Sequence, residues 1–148
     1  MREKIIELAT KEIGYAEKSA NVTKFGEWFG FNGVPWCAIF CSWCYSMAGM
    51  TIKGGGFKNG FAGCQTAMVN FKSMITKSPK PGDLVLFDWQ SDKRADHVGI
   101  FVAWIDNKAG TFFTIEGNTS IANQSNGGMV MKRQRNMAKV TAFINLIG

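Results

Sequence analysis

No apolar run in the 148 residues approaches the ~18 to 20 positions that a membrane-spanning helix needs, so a helical span is excluded. The first residues, M-R-E-K-I-I-E-L-A-T-K-E-I-G, carry charge every few positions and contain no apolar signal core. The expectation is a chain that encodes no export route of its own, made in a host cytoplasm and acting outside only after lysis, through a separate pore or by delivery on a particle. Repeats, low-complexity stretches and linkers are also missing, which predicts a single domain over residues 1–148. A disulfide framework is missing as well. Of the four cysteines, Cys37, Cys41 and Cys44 lie on one apolar stretch, and cysteines along one straight helix rarely reach the ~4.4 to 6.8 Å Cα separation and converging Cβ vectors of a disulfide. Reduced thiols fit better. Histidine is scarcest of all: His97 is the only one.

What is present is a folded composition. Apolar residues make up 46% and charged residues 19%, too apolar for disorder and enough for a substantial core. The formal net charge is +6, which suits a polyanionic partner such as nucleic acid, an anionic membrane or an acidic wall polymer. The densest basic stretch, Lys132, Arg133, Arg135 and Lys139, reads as a solvated strand face.

The periodicity changes along the chain. Residues 2–14 carry a helical stripe through Ile5, Ile6, Leu8, Ala9 and Ile13, with Gly14 as a stop. Residues 21–29 predict a second helix capped by Asn21 or Thr23. Residues 36–48 are nearly all apolar or small, predicting a helix buried all round, with Pro35 at its first position. Glycines make 51–63 a flexible loop, and 65–74 suits a further short helix. Beyond Pro81-Gly82 the period becomes two, with strands at 83–89, 97–105, 111–117, 128–135 and 139–147. Helices first and strands afterwards predict an α+β domain with an antiparallel sheet of about five to six strands.

Chemistry concentrates in two places. Cys37 lies in the first turn of the buried helix, where the dipole favours an anion by about 0.3 to 1 kcal/mol, at most about 2. That is about 1.5 pKa units, too little to ionise a thiol well below neutral pH, so a neighbouring imidazolium is required. Only His97 can be that group, and it opens a strand whose alternation puts His97, Gly99, Phe101 and Ala103 on one face. Glycine at 99 leaves room beside the ring, as a cleft would. On the next strand Phe112, Thr114, Glu116 and Asn118 share a face, and Glu116, or Asn118 beyond it, is placed to orient the imidazole. Asp96 is a rival, but successive strand residues face opposite ways, which makes it a strand-end cap or a solvent-facing group. Cys41, Cys44 and Cys64 read as small core residues. The spacing C-x3-C-x2-C from Cys37 to Cys44 matches an iron–sulfur motif, but it runs along a helix instead of converging on one centre. Zinc lacks paired ligand clusters.

The stretches K-F-G-E-W-F-G-F-N-G-V-P-W-C-A-I-F-C-S-W-C (24–44), P-K-P-G-D-L-V-L-F-D (79–88), D-H-V-G-I-F (96–101) and I-E-G-N-T-S (115–120) resemble the CHAP family of cysteine, histidine-dependent amidohydrolases and peptidases, within the papain-like NlpC/P60 superfamily. The resemblance implies a papain-like fold, Cys37 as nucleophile, His97 as base, and Glu116 with Asn118 as the histidine's polar partners. It implies a peptidoglycan hydrolase, an amidase or cross-bridge endopeptidase of the kind found in phage endolysins and tail-associated lysins. Trp28, Phe31, Asn32 and Trp36 then become candidates to line the cleft, Asn32 also as a second oxyanion donor. No cofactor is expected, and no metal: some relatives hold calcium in an Asp-rich loop before the cysteine, but F-G-F-N-G-V-P-W has no carboxylate. The expected partners are wall peptide and, through the basic charge, anionic wall polymers, not nucleic acid; the sequence shows no wall-binding module, so targeting falls to charge, a partner subunit or a particle. The rival is a non-catalytic basic module that binds wall polymer or nucleic acid and has an unreactive Cys37.

Overall fold

Helices dominate the first half of the chain and strands the second, in a computed structural model that describes residues 1–148. The helices are α1 (Arg2–Lys11), α2 (Lys24–Phe29), α3 (Cys37–Met47) and α4 (Cys64–Asn70). The strands are β1 (Gly56–Phe57), β2 (Gly60–Phe61), β3 (Ile75–Thr76), β4 (Leu84–Phe87), β5 (His97–Asp106), β6 (Thr111–Thr119), β7 (Met129–Asn136) and β8 (Val140–Ile144). Six of them form one antiparallel sheet in the order β3-β8-β4-β5-β6-β7, and β1 pairs with β2 as a small hairpin. This is the expected α+β arrangement of helices against an antiparallel sheet. No helix is long and apolar enough to cross a membrane.

Alternation along the strands divides the core in two. Leu84, Leu86, Val98, Ile100, Ile115 and Ile144 pack with Ile5 and Ala9 of α1 and with α3. Val85, Phe87, Phe101, Phe112 and Phe143 form the second layer. Helix α3 is the centrepiece, with Ala38, Ile39, Phe40, Cys41 and Tyr45 fully buried. Burying a side chain the size of Ile39 or Phe40 contributes roughly 1.5 to 3 kcal/mol each, which holds the helix in place regardless of its weak amphipathicity. Tyr45 Oη donates to Gly82 O at 2.5 Å, locking the helix to the turn before β4.

Local chemistry sets the boundaries. Thr23 caps α2, its hydroxyl accepting from Gly26 N at 2.9 Å. The sequence places Pro35 at the first helical position, but α3 begins at Cys37. Trp36 is the N-cap at φ −120°, ψ 17°, outside the helical region. That ring is fully buried, stacks on Phe25 at 5.6 Å and donates from Nε1 to Glu17 Oε1 at 3.1 Å. Residues 51–63, expected to be a flexible loop, contain the β1–β2 hairpin. Phe61 is buried and exchanges backbone hydrogen bonds with Ser42 Oγ, donating N–H at 3.1 Å and accepting at 3.0 Å. The edge strand β3 has no counterpart in the sequence reading, and the helix expected at 65–74 ends at Asn70 and continues as a 3-10 turn, Lys72–Met74.

Candidate active site

The N-terminus of α3 and the start of β5 meet, which brings Cys37 to His97. Cys37 is the first residue of α3, 3% exposed, and Trp36 supplies no side-chain cap to the N–H groups at this helix start. His97 is the first residue of β5 and fully buried. Its Nε2 lies 2.8 Å from Glu116 Oε1 on β6. Its Nδ1 is buried with no hydrogen-bond partner, sulfur included, and the neighbouring Cys37 thiol favours the charged form of the ring. The backbone N–H of Val98 also acts on that sulfur, and Cys64 Sγ lies 3.7 Å from it.

Glu116 is held from every side. Oε2 accepts from Thr114 Oγ1 at 2.5 Å and from Arg135 Nε at 2.8 Å, and Oε1 accepts from a second Arg135 nitrogen at 2.6 Å. Arg135 is 7% exposed, lies over the Trp89 ring at 4.7 Å and bonds Gln124. Trp89 and Phe87 stack at 4.6 Å, and both rings lie about 6 Å from the imidazole. Van der Waals cover therefore excludes water from the His97–Glu116 contact.

Burial opposes every charge here, and the partners overcome it. Arg135 and His97 bring the Glu116 carboxyl down to about 2 despite its burial. Burial works against the His97 imidazolium, but Glu116 and Cys37 raise its pKa to about 9. Hydrogen bonding from Cys64, then from His97 and Val98, holds the Cys37 thiol well below its ordinary range against the pull of burial. Cys64 is driven up by that same contact with Cys37 and by burial, and burial likewise pushes up Cys41 and Cys44. The chain has four free cysteines, and Cys37 is the one whose surroundings shift it toward the thiolate. No three histidine, cysteine or carboxylate donors are arranged to hold a metal ion.

The CHAP domain family model matches residues 29–118, more than half of the chain and a span that contains Cys37, His97 and Glu116. The chain belongs to the CHAP domain family. CHAP domains are cysteine peptidases and amidases, and this chain is one by membership. No curated protein matches it. Its fold is similar to the crystal structure of an NlpC/P60 family protein from Bacillus cereus ATCC 10987, with a TM-score of 0.63 and 15% identity over 100% of this chain and 41% of that one. It is also similar to the crystal structure of Ly7917, with a TM-score of 0.57 and 14% identity over 98% of this chain and 62% of that one. The CHAP chain thus spans less than two thirds of either neighbour, and at such identities the likeness is one of fold.

Several residues expected at the CHAP site lie elsewhere. Asn118 does not reach the imidazole: its φ of +56° takes it out of the β alternation where the β6–β7 register shifts. Its amide instead donates to Asn126 Oδ1 at 3.1 Å and accepts from Gly128 N at 3.0 Å, closing the β6–β7 connection. Trp36 belongs to the core, not to a cleft wall. Asn32 accepts from Thr23 N and Gly33 N through Oδ1 and donates from Nδ2 to Thr23 O, which ties its amide to the start of α2. Trp28 is half-buried against the core, whereas Phe31 is exposed and, with Phe57 of the hairpin 5.9 Å away, forms an apolar rim. Asp96 caps the preceding loop by accepting from Trp89 N at 3.2 Å.

Arg135, Thr114 and Cys64 complete the site and escaped the sequence reading. Lys132 and Lys139 are exposed as a solvated face should be, but Arg135 is turned inward to Glu116. The legible signal was the alternate spacing of Arg133 and Arg135 opposite a strand carrying Thr114 and Glu116. Gly99 also has a different purpose from the one its size suggested. A Cβ there would lie 2.6 Å from Glu116 Cγ, so the space beside the imidazole is filled by the glutamate stem. Gly99→Ala is expected to cost about 1 to 3 kcal/mol in chemical denaturation and to slow turnover by displacing Glu116.

Proposed function

We propose that this CHAP domain hydrolyses peptidoglycan by cleaving an amide bond of the wall peptide through a thioester on Cys37. The observation that carries this reading is the hydrogen-bonded line His97, Glu116, Arg135, with the other nitrogen of the sole imidazole unpartnered and Cys37 the thiol that acts on the ring. The Cys37 thiolate attacks the amide carbonyl, and the Cys37 N–H at the uncapped start of α3 receives the developing oxyanion. Protonated His97 donates to the leaving amine. Neutral His97 then takes a proton from water, whose oxygen attacks the thioester, and the acid product leaves as the thiolate and imidazolium are restored. Glu116 keeps the ring aimed and charged, and Arg135 keeps Glu116 in place.

The 148 residues serve as one catalytic domain, and the bond is the N-acetylmuramoyl-L-alanine amide or a cross-bridge peptide bond. The chain acts as a phage endolysin or tail-associated lysin, on the wall, after release or particle delivery. The net charge of +6 supports attraction to anionic wall polymers. The test is digestion of purified Gram-positive walls with mass spectrometry of the released muropeptides. New amino termini at one amide bond are the expected result, and intact walls across several wall types would overturn the reading. The rate should fall as pH rises through about 9, where His97 loses the proton it must give to the leaving group. A rate that keeps climbing above that pH contradicts the role given to His97.

A further inference from the structure

Cys37 shares its surroundings with a second thiol that the mechanism above does not use. Cys64 opens α4, is 8% exposed, and places Sγ 3.7 Å from Cys37 Sγ, its only hydrogen-bonding contact. Two buried sulfurs at that distance cannot both be anions, so one proton stays with the pair. The other donors decide which sulfur keeps it. The His97 ring and the Val98 N–H both act on Cys37, whereas Cys41 and Asp96, the further titratable groups acting on Cys64, bring no positive charge. Glu116 faces the pair only from behind His97. By geometry either sulfur can donate across the 3.7 Å contact, and the groups around Cys37 favour the anion there, which leaves the S–H with Cys64.

We propose that Cys64 is a further catalytic residue, whose S–H donates to the Cys37 thiolate and tunes the attacking sulfur. This rests on Cys37 being the nucleophile. A donor on the sulfur raises the thiolate population in acid but lowers the intrinsic reactivity of each thiolate, because nucleophilicity falls with basicity. Removing it therefore harms the reaction most at low pH, and the loss shrinks toward alkaline pH. A packing defect would instead lower the rate at every pH.

The test compares wild type with Cys64→Ala, Cys64→Val and Cys64→Ser, each checked for native circular dichroism. Iodoacetamide labelling of Cys37, read by peptide mass mapping, is followed against pH alongside kcat and KM for wall hydrolysis. Cys64→Ala and the better-filled Cys64→Val should each move the labelling midpoint up by about one pH unit, corresponding to tenfold less thiolate on the acid limb. The acid limb of kcat should follow, with KM unchanged. Cys64→Ser, which keeps a donor, should restore most of the midpoint. A midpoint in the folded Ala or Val variant equal to that of wild type would overturn the role of Cys64. So would a Cys37–Cys64 disulfide in the active, non-reduced protein. If wild-type Cys37 takes no label at all, the nucleophile assignment itself fails, which is a separate outcome.

Discussion

Cys37→Ser is expected to lose wall hydrolysis by on the order of 10⁴-fold or more while its circular dichroism stays that of wild type. One atom changes, in a site that packing already fixes, so stability should move little. The chemistry changes completely. The Cys37 thiol is shifted toward the anion by Cys64, then by His97 and Val98. A serine hydroxyl must be deprotonated during the attack, and the only base within reach is a ring whose pKa Glu116 helps to raise to about 9. Iodoacetamide near pH 6 gives the matching signature. Cys37 should take one label, whereas the raised pKa values of Cys41, Cys44 and Cys64 leave them unmodified. The serine variant should take none. Retained hydrolysis by Cys37→Ser, or activity that survives full alkylation, would instead favour a binding module with a basic surface.

Arg135→Leu should be the most damaging change outside the sulfur. It removes two hydrogen bonds from a carboxylate with no exposed surface, and a buried charge stripped of its partner costs about 3 to 5 kcal/mol. For a chain of this size that lowers Tm by about 10 °C. Turnover should fall as well, because Glu116 is free to leave Nε2 of His97. Adding Glu116→Gln removes the stranded charge, so the double variant should regain part of the lost stability without regaining activity. The two substitutions would then be strongly non-additive, as expected of groups in direct contact. A loss below about 1 kcal/mol in Arg135→Leu would show that the guanidinium is ornamental to the site.

Much of the architecture was legible because periodicity reports burial. The stripe Ile5, Ile6, Leu8, Ala9 and Ile13 marked α1, of which Ile5 and Ala9 are buried; Asn21 and Thr23 were both open as its neighbour's cap, and Thr23 is the one that caps; the change to period two past Pro81 marked the sheet. The relation of Cys37, His97 and Glu116 was legible for the same reason: a helix start, a strand start and a facing strand are each visible in sequence. Three features were not. Arg135 looked solvated because alternation separates two faces of a strand without saying that both are covered, here by α3 on one side and by Phe87, Trp89 and their neighbours on the other. Asn118 was carried along by alternation, and a single left-handed residue broke the count. Cys64 follows a glycine-rich stretch with no period at all, so nothing local could tell that its thiol returns to Cys37.

Cys37, the proposed nucleophile, is rooted in the most deeply enclosed helix of the molecule, with Phe40, Cys41 and Tyr45 sealed beneath it. Segments of that kind open only when the whole structure opens. Warming therefore offers this enzyme no half-way state in which the body survives and the sulfur has drifted: catalytic lifetime and global melting are the same event.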